Sequence, residues 1–147
     1  MRRALAVVVL AASLTSCSSD PEGNYCDELA GTRDRLVTLA LGSGKDQGAY
    51  LEPALRLFEG LRAKSPSSLR DEWDTFVFAW SDLVEVLDET GVDPTTFDPE
   101  KRPAGLSKQD FDRVRAAAAE LGSARVRDAV RGITEHADQV CDVSLDL

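Results

Sequence analysis

The sequence predicts an all-α fold, an antiparallel bundle of four to five helices. Two observations carry that expectation. From residue 25 onward, apolar residues recur at three- and four-residue steps, the spacing that lines one face of a helix. Clusters of glycine, serine and proline at 42–44, 65–67, 91–105 and 122–123 then cut the pattern into helix-length pieces.

The first helix is predicted over YCDELAGTRDRLVTLALG, Tyr25 to Gly42. Its apolar positions are Cys26, Leu29, Ala30, Leu36, Val37, Ala40 and Leu41, interrupted by Arg33. Asn24 suits the N-cap, and Gly42-Ser43-Gly44 suits the stop. A second helix spans about Tyr50 to Lys64, with Leu51, Ala54, Leu55, Phe58 and Leu61 inward. Pro53 is compatible only with its first turn, because proline lacks the N–H that a helix interior needs.

The third helix follows Ser65-Pro66-Ser67 and stops at Gly91. Leu69, Trp73, Phe76, Trp80, Leu83 and Leu87 form one stripe, widened by Val77 and Val84. A stripe this wide predicts the central helix, with Trp73 and Trp80 read as core and a ligand-stacking pair as the alternative. Residues 91–105 (GVDPTTFDPEKRPAG) form a long connection. Asp93, Thr95, Asp98 and Glu100 there lack the ligand spacing of a calcium loop and read as turn chemistry.

Ser107 then opens a fourth helix, with Asp110 completing a near capping box and Leu106 and Phe111 placed as a hydrophobic staple. Phe111, Val114, Ala118 and Leu121 face inward. The phase slips at Gly122-Ser123 and resumes with Val126, Val130, Ile133, Ala137 and Val140. The slip leaves one bent helix or two.

The start of the chain is of another kind. MRR precedes an apolar run from Ala4 to Leu14, the charged and hydrophobic regions of a secretory signal. The run is shorter than the roughly 20 residues that span a bilayer. Leu14-Thr15-Ser16-Cys17 resembles the lipobox of bacterial lipoproteins. The resemblance implies cleavage before Cys17 and acylation of its thiol, so that the lipid holds the chain on the extracytoplasmic face of the cell membrane. It divides the chain into a signal peptide (1–16), a lipidated cysteine with a short tether (17–24) and a helical bundle domain (25–147). The tyrosine-cysteine start, the SPSSLRDEWDTF segment and the closing VCDV are similar to small actinobacterial helical lipoproteins. That likeness carries no activity and transfers no catalytic residue.

With Cys17 acylated, Cys26 and Cys141 remain as a pair in an oxidising compartment. A disulfide is the default, with two free thiols or half a metal site as alternatives. An up-down bundle brings the start of the first helix beside the end of the last, so the topology agrees with the pairing.

Charge and motif content narrow the function classes. The chain carries 17 basic and 26 acidic residues, a net charge of −9. Losing Arg2 and Arg3 with the leader makes the mature charge −11. Such a surface repels nucleic acid. The third helix is acidic (Asp71, Glu72, Asp74, Asp82, Glu85, Asp88, Glu89), and Arg113, Arg115, Arg125, Arg127 and Arg131 follow it. These read as two solvated faces that attract each other across the bundle. His136 is the only histidine, and no nucleophile motif, phosphate loop, HExxH or CxxC is present. No catalytic residue, metal ligand or cofactor is assigned. The expected function is a membrane-anchored binding or interaction module with an unidentified protein or small-molecule partner. A small-ligand carrier with a pocket gated by 91–105 comes second, and an enzyme of unrecognised type third.

Overall fold

A computed structural model describes residues 20–42 and 48–145. Five helices follow one another: α1 (Pro21–Gly42), α2 (Gly48–Lys64), α3 (Arg70–Thr90), α4 (Lys108–Leu121) and α5 (Ala124–Cys141). A 3₁₀ turn, Ser67–Leu69, leads into α3, and no strand occurs among the described residues. The all-α expectation holds, and a disulfide joins Cys26 on α1 to Cys141 on α5 across a Cα separation of 5.1 Å. The lipobox and Cys17 lie outside the described residues, as do residues 43–44 of the expected first stop and the side chains of Ala40 and Leu41.

Helix starts depend on side chains that satisfy free backbone donors. The Glu22 N–H donates to Asp20 Oδ1 at 3.1 Å, and Pro21 sits at the first helical position, where it has no donor to lose. Asp20 therefore starts α1 earlier than Asn24, and residues 21–24, expected in the tether, are helical. Ser107 caps α4 by accepting from the Asp110 N–H at 3.0 Å. Ser123 accepts from the Val126 N–H at 3.2 Å, which makes the last segment two helices rather than one bent helix. Pro53 lies in the second turn of α2, one turn later than expected.

The central helix is α3, which packs against α2, α4 and α5. Its neighbour α4 covers Leu83, Val86 and Leu87 with Val114 and Ala117. On the other half of α3, Trp73, Phe76 and Val77 join Tyr25, Leu29, Phe58, Leu61, Val126 and Ile133. Just past α3, Gly91 takes a left-handed conformation (φ 64) at the C-cap, where a side chain would be strained. At Gly132 on α5, an added Cβ would meet Glu72 Cγ at 3.1 Å, so the absence of a side chain lets α5 approach α3 closely.

The buried faces differ from the sequence reading at several positions. Ala30, Val37, Ala118 and Val140 are exposed, while Thr32 and Ala117 are buried. On α1, Tyr25, Leu29, Thr32 and Leu36 step by 4, 3 and 4, so a polar residue occupies the core stripe. Val140 is left outside, and beyond it the chain reverses at Asp142 (φ 54) so that Val143 and Leu145 pack against the core. The connection 91–105 is pinned rather than structureless. Asp93 Oδ1 accepts from the Thr95 N–H (2.8 Å) and Oγ1–H (2.7 Å), and Val92 and Phe97 pack beside Leu87 and Val114.

Attraction between the acidic and basic faces is confined to few pairs. Arg113 on α4 pairs with Glu89 on α3, and Arg62 on α2 with Asp74 on α3. Arg125 and Arg131 instead pair locally, with Glu120 (2.6 Å) and Asp128 (2.9 Å). All these partners are substantially exposed, and each such pair contributes at most about 1 kcal/mol. Apolar burial and the disulfide, rather than charge, hold the bundle together.

The disulfide spans 115 residues, a loop long enough for a chain-entropy contribution of about 4–5 kcal/mol. A Cys26→Ala/Cys141→Ala variant should lose stability of that order in urea titrations while keeping a helical circular dichroism spectrum. A loss below about 1 kcal/mol would contradict the assigned role of the crosslink.

Candidate functional site

Among the described residues, every helix contributes to a groove of 780 Å³. This lies within the range of about 300–1,000 Å³ common for small-molecule sites. Phe58 from α2, Phe76 from α3 and Val126 from α5 are almost fully buried and form its floor. Its walls are half-buried: Leu36, Tyr50, Trp80, Leu121, Val130 and Leu145. Arg33, Val37, Arg127 and Arg131 are exposed and form the rim.

Its position follows from the disulfide. α1 and α5 run antiparallel and are clamped at Cys26–Cys141, yet they touch over much less of their length than α1 and α2 do. Arg33 lies seven residues along α1 from Cys26, and Thr134 seven residues back along α5 from Cys141. Both line the groove, so it begins about two turns from the clamp and continues through Leu36 and Val37 on one side and Val130 and Arg131 on the other.

The closed end is fixed by a buried polar contact. Trp73 Nε1–H donates to Tyr25 Oη at 2.9 Å, with both residues fully buried. Burial pushes the Tyr25 phenol up to about 12, and the Trp73 donor acts in the opposite sense. His136 stands beside the same point, its ring edge-on to Tyr25 at 5.9 Å and its Nε2 3.4 Å from Glu22 Oε1. It therefore faces α1. The Thr32 hydroxyl is buried without a hydrogen-bond partner among the described residues.

The open part is built on aromatic packing. Trp80 meets Tyr50, Phe58 and Phe76 edge to face at centroid distances of 6.4, 5.1 and 6.1 Å. The two tryptophans expected to share one role therefore divide it: Trp73 is core, whereas Trp80 presents part of its ring to the groove.

The rim is cationic on a chain whose net charge is −9. Arg131 is paired with Asp128 at 2.9 Å and approaches Glu135 at 3.9 Å. Arg127 donates one guanidinium N–H to the Gly122 carbonyl at the α4–α5 break. Among the described residues, no carboxylate lies within ion-pair distance of Arg33 or Arg127.

None of residues 91–105 lines this groove; Gly91–Pro94 border a smaller cleft of 290 Å³ instead. Among the described residues, no three His, Cys, Asp or Glu side chains converge as a metal site would require. Sequence reasoning missed Tyr50, Thr134, Leu145 and the grouping of the arginines. The interruption of the first apolar stripe by Arg33 was one available signal. Compared with known proteins, the chain matches no family model, no curated protein and no solved structure.

Tyr25→Phe should destabilise the fold by about 1–3 kcal/mol, since it leaves the Trp73 N–H buried and unpaired. The phenol also sets a pH dependence. Its folded pKa of about 12 exceeds the unfolded value of about 10, so its contribution is full below pH 10 and declines as pH rises towards 12. Denaturation from pH 9 to 12 should show a steeper loss for wild type than for Tyr25→Phe. Parallel curves would refute the assignment.

Proposed function

We propose that this chain is a lipid-anchored, extracytoplasmic binding module whose ligand enters the groove between α1 and α5. One observation carries the binding part of the reading: a 780 Å³ groove with an apolar floor and a half-buried Trp80 in its wall. The lipobox resemblance at Leu14-Thr15-Ser16-Cys17 supports the anchor. Among the described residues no helix is long and apolar enough to cross a membrane, so on this reading acyl chains on Cys17 hold the chain there.

The two halves of the proposal fit in space. Helix α1 starts at Pro21, so three residues separate it from Cys17 and reach at most about 14 Å. The clamped end of the bundle then stands close to the membrane, and Arg33 sits roughly 18 Å further along α1. With no boundary at 91–105, the small-ligand reading stands without a gate in that loop.

Membrane fractionation tests the anchor. Wild-type chain should partition with membranes and incorporate a radiolabelled fatty acid, and Cys17→Ser should do neither. Retention of the variant in the membrane fraction would overturn the anchoring half of the proposal.

A further inference from the structure

We infer that the groove binds a single-chain anionic amphiphile, a long-chain carboxylate, with its hydrocarbon chain on the aromatic floor and its head on the rim arginines. This inference rests on the reading of the groove as the binding site and names its ligand class. Three features of the groove select that class.

The first is the pairing of surfaces. Phe58 and Phe76 on the floor and Trp80 in the wall offer a surface that a hydrocarbon chain covers favourably, at about 25 cal/mol per Å² of apolar area removed from water.

The second is charge. Arg33, Arg127 and Arg131 all stand at the rim of one cavity, although the chain as a whole is acidic. Arg33 and Arg127 have no carboxylate partner among the described residues, and Arg127 keeps guanidinium donors beyond the N–H it gives the Gly122 carbonyl, so both can meet a planar carboxylate. The single ammonium of a lysine would offer no such fork.

The third is size. A groove of 780 Å³ suits one drug-sized body, which one acyl chain is and a two-chain phospholipid is not. A small ligand also avoids a penalty that an acidic protein would meet. A carboxylate seated among the arginines feels mainly its own site, whereas an extended acidic surface would face the net negative remainder of the chain.

The chain contains a built-in reporter, because its only two tryptophans occupy different environments: Trp80 lines the groove and Trp73 is fully buried. The experiment uses the full chain carrying Cys17→Ser and titrates it with stearic acid bearing a nitroxide on its chain, below its micellar concentration. The methyl ester of the same probe is the uncharged control. The acid should quench tryptophan fluorescence saturably, and Trp80→Phe should remove most of the quenching. The ester should bind at least about tenfold more weakly, a difference of roughly 1.4 kcal/mol. An Arg33→Gln/Arg127→Gln variant, with its helicity checked by circular dichroism, should bind acid and ester alike.

Equal affinity of wild type for acid and ester would overturn the inference while leaving a binding groove in place. Quenching that survives Trp80→Phe would overturn it by placing the probe elsewhere. If neither probe quenches Trp80, the inference and the groove-binding reading fail together. Membrane release of the Cys17→Ser variant is read separately, so the anchoring half of the proposal is judged on its own.

Discussion

The fold depends on how α1 is fastened to the rest of the bundle. At one end Cys26 is bonded to Cys141, and one residue away the Tyr25 hydroxyl accepts the indole N–H of Trp73. The covalent bond fixes α1 to α5, while the hydrogen bond fixes α1 to the central helix. A buried indole N–H would be costly alone, and the Tyr25 oxygen supplies its acceptor. Beyond this clamp, nothing comparable joins α1 to α5 among the described residues. Their separation exposes the faces of α2 and α3 behind them, and the groove lies there.

Much of the scaffold was legible because one residue pattern had one structural solution. The stripe from Leu69 to Leu87 could be satisfied only by a helix packed on more than one side, and α3 is that helix. Gly91 and Ser107 mark chain reversals by chemistry that depends on local sequence alone, and both stand where that chemistry requires them. The failures share another cause. Thr32 rather than Ala30 enters the core because the burial of Tyr25 and Leu29 fixes the rotation of α1, and tertiary packing sets that rotation. Asn24 lost the start of α1 to Asp20 and Pro21, a better combination lying in a segment read as tether.

The groove was less legible for the same reason. No single helix encodes it. Arg33 looked like a flaw in an apolar stripe, and Arg127 and Arg131 looked like part of a solvated basic face. Only the antiparallel register set by the disulfide brings them to one rim. Trp80 was assigned with Trp73 because seven residues return to the same helical face. The two rings differ because Trp73 meets the clamp and Trp80 stands beside the opening.

The central claim is that one tryptophan is locked at the clamp and the other faces an open groove. Hydrogen exchange of the two indole N–H groups, followed by ¹⁵N-edited NMR, tests it most directly. The account predicts one strongly protected indole, Trp73, which loses protection in Tyr25→Phe, and one rapidly exchanging indole, Trp80. Equal protection of both indoles, or protection at Trp73 that survives loss of the Tyr25 hydroxyl, would contradict it.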